Sequence, residues 1–329
     1  MAGQIRVRVT GQEKGYYRIS DGRQERLAEI SGKYRYQVKT LSDYPAVGDY
    51  AIADWPEDGS VCTIESIFPR KSAFVRRAAG GDAREQVVAA NIDTVFLCMS
   101  ANRDFSLRRL ERYLAAAWDS GAHPVVVITK SELADDLQSL TAAAASCAPG
   151  TEVLTVSSAL GDLSAVEPYL EPGRTIAFLG SSGVGKSTLI NKLLGRDQLQ
   201  TAAIGNDDEG RHTTTSRQLL TLPGGAFVID TPGMRELGLW DSEDGLDTAF
   251  ADIEDLASQC RFSDCTHSGE PGCAVAAALR DGRLPQARWQ SYLKLKTENS
   301  YTEDREDYLE EKRRKFTQIS KANKARRKQ

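Results

Sequence analysis

The sequence predicts a multidomain α/β chain: a small N-terminal β-barrel, a parallel sheet covered by helices on both faces, and a helical C-terminal part with clustered cysteines. Three observations carry this. Short β-type runs between Gly, Asp and Pro turns fill the first 75 residues, apolar strands alternate with helical periods up to about residue 240, and three of six cysteines then fall within 14 residues. Evenly spaced short strands suit a barrel, and continuous apolar strands interleaved with helices suit a parallel sheet covered on both faces. Clustered thiols suit a metal. The expected divisions are 1–75, 76–240 and 241–329.

In the first part, strands are expected at Ile5 to Val9, Tyr16 to Ile19, Tyr34 to Val38, Tyr50 to Asp54 and Ser60 to Phe68. Arg6, Arg8, Lys33, Tyr34, Arg35, Tyr36, Lys39, Arg70 and Lys71 would suit a nucleic-acid face, and equally the solvated side of ordinary strands. "RRAAGGDAREQ" reads as a linker. Beyond it come strands at Thr94 to Met99, Pro124 to Thr129, Glu152 to Val156 and Thr175 to Leu179, with helices at Leu107 to Ala117 and Leu133 to Ala145. Strands at Gln218 to Leu222 and Ala226 to Ile229 complete the sheet.

"FLGSSGVGKSTL", residues 178–189, places G-x-x-x-x-G-K-S between a strand and a helix, the context a P-loop requires. Gly180, Ser181, Ser182, Gly183, Val184 and Gly185 form the loop whose N–H groups converge on phosphate. Lys186 adds a point charge, Ser187 a hydroxyl for Mg2+, and Thr188 continues the helix. "FVIDTPG" ends a strand in D-x-x-G, where Asp230 can hold Mg2+ and the Gly233 N–H can sense a γ-phosphate. Between them, "GNDDEGRHTTTSRQ" offers Thr213 to Thr215 as a switch over Mg2+; Thr214 is selected, with a plain loop as the alternative.

Base-reading loops do not follow Gly233; they precede the P-loop. Thr129, Lys130, Ser131 and Glu132 end one strand where guanine readers carry [NT]-K-x-D, and Ser157, Ser158 and Ala159 follow the next. Loops at the carboxyl ends of parallel strands share one rim whatever their order in the chain, so this is a circular permutation of a GTPase domain. Glu132 for Asp keeps an ATP-using P-loop protein as a rival reading. Met234, where signalling GTPases place a water-orienting Gln, cannot orient water usefully, which makes His212 the best internal catalytic candidate, with a loop histidine of no chemical role as the equal alternative.

Cys260, Cys265, His267 and Cys273 supply three thiolates and an imidazole, the complement of a closed structural zinc site. The chain has 42 basic and 46 acidic side chains, but nine cations and no acids lie between Lys312 and Gln329, leaving 33 against 46 in the rest. The tail, after a helix expected at Glu303 to Ser320, suits RNA phosphates. No run approaches the roughly 20 apolar residues of a membrane span, and no secretory leader is evident, so a soluble cytoplasmic protein is expected.

Together "VGDY", "IFPRKSAFVRR", the permuted order, "GSSGVGKSTL", "GRHTTT", "DTPGMREL" and "CRFSDCTHSGEPGCAV" resemble the ribosome small subunit-dependent GTPase A family, RsgA or YjeQ, nearly end to end. The resemblance implies an OB-fold, a permuted GTPase domain and a zinc-binding domain. It also implies GTP and GDP with Mg2+ and one structural Zn2+ as cofactors, and the small ribosomal subunit and its rRNA as partners of a monomer. The implied activity is subunit-stimulated hydrolysis of GTP in late subunit maturation, controlling the protein's own release. A nucleotide-gated rRNA-binding factor in which hydrolysis is incidental is the alternative. The family commonly has Asp at Glu132, the carboxylate that accepts from guanine N1–H and N2; preference for GTP over ATP is still expected.

Overall fold

The computed structural model describes residues 3–13, 15–77, 85–102, 104–157, 159, 161–196, 217–230 and 243–297. The first part is a closed barrel. Its elements are β1 (Gly3–Gln12), β2 (Tyr17–Ser20), β3 (Glu25–Ile30), α1 (Gly32–Gln37), β4 (Tyr50–Trp55) and β5 (Cys62–Ile67). They pair in the order β1-β2-β3-β5-β4, and β4 returns to β1. Alternate residues such as Val7, Val9, Ile19, Ala28, Ala51, Ala53 and Ile64 fill the interior.

The stretch from Tyr34 to Val38 is not the expected strand but helix α1. Ser31 accepts a hydrogen bond from the Tyr34 N–H at 3.0 Å, an N-cap that starts a helix. The barrel strand of this region is β3 instead, and because it runs parallel to β5 the chain between them must cross over. β6 (Ala73–Arg77) and β7 (Glu85–Ala90) form an antiparallel pair of their own. The expected linker therefore has strand at both ends; its middle lies outside the described residues.

The sheet follows with β8 (Thr94–Ser100), α2 (Leu107–Asp119), β9 (His123–Thr129), α3 (Leu137–Cys147), β10 (Glu152–Thr155), β11 (Thr175–Leu179), α4 (Lys186–Leu194), β12 (Arg217–Thr221) and β13 (Phe227–Asp230). Strands β10, β9, β8, β11 and β13 are parallel neighbours. Along β8, Val95, Leu97 and Met99 face one core and Phe96 and Cys98 the other, the period-2 signature of a sheet covered on both sides.

Two corrections apply here. β12 is antiparallel to β13, because the short turn through Gly225 (φ 84°) permits only a hairpin. Helix α3 starts at Leu137 rather than Leu133, since Asp136 caps it by accepting from Ser139 N at 2.9 Å. β12 also pairs with β1 at Gly11–Gln218 and Gln12–Arg217, so barrel and sheet form one 11-stranded order.

The C-terminal part contains α5 (Glu243–Ala249), α6 (Ala251–Ser258), α7 (Ala274–Asp281) and α8 over residues 286–297. Its apolar side joins the core beneath α2 and α3. Gly245 makes the approach of α5 to α2 possible: a Cβ there would lie 2.6 Å from the Ala115 carbonyl oxygen. The helix expected at Glu303 to Ser320 lies outside the described residues.

Candidate nucleotide and metal sites

The P-loop turns from the end of β11 into α4. Gly183 and Gly185 have φ of 75° and 103°, the left-handed region where a side chain is strained. A Cβ on Gly180 would meet the Cys98 carbonyl oxygen at 2.7 Å. Lys186 Nζ donates to the carbonyls of Gly180 and Ser181 at 2.6 Å each, and Ser187 and Thr188 occupy the first turn of α4. A glycine loop that enters a helix N-terminus in this way has the geometry that suits a phosphate.

The upstream loops meet it directly. Thr129 Oγ1 lies 2.6 Å from the Val184 carbonyl oxygen, and Lys130 Nζ donates to that of Gly183 at 2.8 Å. Lys130 itself is left-handed, φ 55°, which turns the chain sharply into the 3-10 turn Ser131–Leu133. From the end of β10, Ser157 Oγ donates to Glu132 Oε2 at 2.5 Å, and Ala159 follows exposed. Asp230 ends β13, the neighbour of β11. Residues 129–132, 157, 159, 180–188 and 230 thus share the carboxyl rim of one sheet. Ser158, His212, Thr214 and Gly233 lie outside the described residues.

Asp104 and Arg109, which the motifs did not single out, also reach the P-loop. Arg109 Nη1 donates to Asp104 Oδ2 at 2.9 Å and to Ser181 Oγ at 3.1 Å, and Ser181 Oγ donates to Asp104 Oδ2 at 3.1 Å. The Arg109 hydrogen bond holds the Asp104 carboxyl below its ordinary range. Their signal in the sequence was positional: both follow the carboxyl end of β8, on the same rim.

Cys260, Cys265, His267 and Cys273 bring their ligand atoms within 4.8 Å of one another. Cys260 Sγ is 3.9 Å from Cys273 Sγ, and each is 3.5 Å from His267 Nδ1. Metal bonds of about 2.3 Å to sulfur and 2.0 Å to nitrogen, arranged tetrahedrally, give edges of about 3.7 and 3.5 Å, so the donor set fits one tetrahedral ion. His267 adopts φ 61° to turn its ring inward, where it meets the Trp289 ring edge-on at 5.8 Å. Cys273 also caps α7, its Sγ accepting from Ala276 N at 3.3 Å.

A P-loop faced by loops that precede it in the chain, with a strand-terminal Asp after it, defines the class: a circularly permuted P-loop GTPase. Residues 67–240 match the model of the RsgA GTPase family. A curated relative from Lactiplantibacillus plantarum, "Small ribosomal subunit biogenesis GTPase RsgA 2", is 50% identical over 301 residues, 91% of this chain and 84% of its own. One from Opitutus terrae, "Small ribosomal subunit biogenesis GTPase RsgA", is 47% identical over 92% of this chain and 85% of its own. The crystal structure of YjeQ from Thermotoga maritima superposes with a TM-score of 0.68 at 27% identity, covering 90% of this chain and 99% of that one. YloQ, described as a circularly permuted GTPase, gives 0.66 at 26% identity, covering 91% and 96%. The chain belongs to the RsgA GTPase family.

Proposed function

We propose that this protein hydrolyses GTP to GDP and phosphate on the small ribosomal subunit during its maturation, and that hydrolysis controls its release. The family and the names of its relatives support this. The observation that carries it is the direct contact of Thr129 and Lys130 with P-loop carbonyls, beside the Glu132–Ser157 pair. Base and phosphate sites so joined suit a guanosine triphosphate laid along one rim.

In this reading residues 180–188 cradle the phosphates, and Glu132, supported by Ser157, accepts from the base. Ser187, Asp230 and Thr214 would hold Mg2+, with Gly233 near the γ-phosphate; the ion would supply neutralisation of phosphate charge. His212 and Thr214 complete the catalytic group. The barrel and the basic tail contact rRNA, and the Cys/His set holds one structural Zn2+, whose role is folding because four protein ligands leave no position for water. The working divisions are 1–75, 76–240 and 241–329, in a cytoplasmic monomer.

Phosphate release should be slow for the protein alone and rise at least about tenfold with small subunits, for GTP and not ATP. Unchanged release with subunits that nevertheless bind the protein would favour the nucleotide-gated binding factor. Lys186→Ala should abolish both turnover and nucleotide binding.

A further inference from the structure

Guanine presents an acceptor at N7 on its Hoogsteen edge, and donors at N1 and N2 beside O6 on its Watson–Crick edge. We infer that, among the described residues, this protein reads guanine on the Watson–Crick edge alone and leaves N7 without a partner, because Thr129 has committed its only proton to the P-loop. The inference rests on the assignment of Thr129 to Glu132 as the base-reading loop.

A hydroxyl donates once. Thr129 is 1% exposed, and its Oγ1 lies 2.6 Å from the Val184 carbonyl oxygen and 3.1 Å from that of Met99. Both neighbours are pure acceptors, so the proton goes to one of them. Turning it outward would strip a buried carbonyl of its donor, which is unfavourable. An asparagine at the same strand end would carry two amide protons, one for Val184 and one for the base. Threonine keeps the inward bond and lacks the outward one.

The other groups divide the same way. The Ser157 hydroxyl donates to Glu132, and Lys130, which has three protons, is kept from N7 by position, its Nζ held over the P-loop at the Gly183 carbonyl. The Glu132 carboxylate only accepts when ionised, so it suits N1–H and N2 and cannot serve N7. N7 is common to guanine and adenine. Leaving it unread therefore lowers affinity for both purines alike and places the choice between them on Glu132.

Equilibrium binding of GDP, 7-deaza-GDP and ADP to the full chain with Mg2+ tests this. GDP and 7-deaza-GDP should agree within about twofold, one hydrogen bond being worth about fivefold. ADP should bind at least about a hundredfold more weakly. Thr129→Asn, which restores an outward donor, should come to favour GDP over 7-deaza-GDP by about fivefold. If the unmodified protein loses about fivefold or more on 7-deaza-GDP while ADP stays weak, a donor reaches N7 and the inference falls, leaving the base site intact. If ADP matches GDP, the base-site assignment itself falls.

Discussion

Arg288 is 7% exposed and joins four helices. Its Nη1 lies 3.1 Å from Glu111 Oε1 on α2 and 3.1 Å from the Cys147 carbonyl at the end of α3. Its Nη2 lies 2.6 Å from Asp252 Oδ1 on α6, and the guanidinium stacks 4.7 Å from the Phe250 ring. Removing one partner of a buried pair leaves the other uncompensated, so Arg288→Ala should cost about 3–5 kcal/mol in chemical unfolding. Glu111→Gln keeps the shape and leaves Arg288 paired with Asp252, and should cost less, about 1–2 kcal/mol. Burial already lifts the Glu111 carboxyl above its ordinary range, despite Arg288. A carboxyl raised on folding favours the native state most at pH below about 4.5, and that contribution fades as pH climbs through the folded value. Without Arg288 the folded value rises further, so the deficit should be largest near neutral pH and narrow on acidification. An equal deficit at pH 5 and pH 7.5 would contradict this.

Gly48 of the "VGDY" run makes a second residue-scale case. It has φ 94°, and a Cβ would lie 2.1 Å from the Ala90 carbonyl oxygen. This is where the barrel abuts β7 and β13, the Ile229 side chain being 3.0 Å from the same point. Gly48→Ala should therefore lose at least about 2 kcal/mol, read as a lowered unfolding midpoint.

At the scale of elements, what the sequence disclosed follows from how far each element depends on its own residues. Strands β8, β9 and β11 were legible because both of their faces are buried, so the apolar run itself is the signal. The stretch Tyr34 to Val38 misled because alternating Tyr, Arg and Gln satisfy a strand pattern, while a single buried Tyr34 and the Ser31 cap decide for helix. β3 was missed because its inward positions include the small Ala28 and its outward ones include Glu29. The antiparallel course of β12 was local information, carried by the short turn through Gly225, whereas its pairing with β1 of the barrel lies in no local window. The candidate residues 129–132, 157, 180–188 and 230 were placed motif by motif on loops that meet at one rim, whereas the contact of Arg109 with Ser181 shows only in the fold.

The Cys/His cluster allows an element-scale prediction. Cys273→Ser keeps an oxygen that can cap α7 but removes a soft thiolate ligand. Bound zinc should fall from about one per chain to near none, and amides of α6 and α7 should lose hydrogen-exchange protection while those of β8 and β11 keep theirs. Full protection of α7 in the zinc-free variant would show that the helices hold without a metal.

Across the whole molecule, strand β1 belongs to two structures at once, pairing with β2 and β4 in the barrel and with β12 of the nucleotide sheet. Arg8 on β1 spans the seam: its Nη2 donates to Thr175 Oγ1 at 2.5 Å, and its guanidinium stacks on Tyr50 and Phe227 at 4.8 and 4.7 Å. The barrel is therefore tied to the very strands that carry the P-loop and Asp230. Docking on a polyanion, by contrast, has to overcome an acidic body: residues before Lys312 carry 33 basic and 46 acidic groups, against nine cations and no acid from there on. Attraction to phosphate must then be local. Truncation after Glu311 should weaken binding to small subunits and flatten its salt dependence, by about 0.7–0.9 in the log–log slope for each phosphate that the tail would otherwise neutralise. With half of the tail's cations engaged, the slope falls by about 3 to 4, a change that titration between 50 and 200 mM salt resolves. An unaltered slope would mean that the tail stays in water and that the barrel carries the attachment alone.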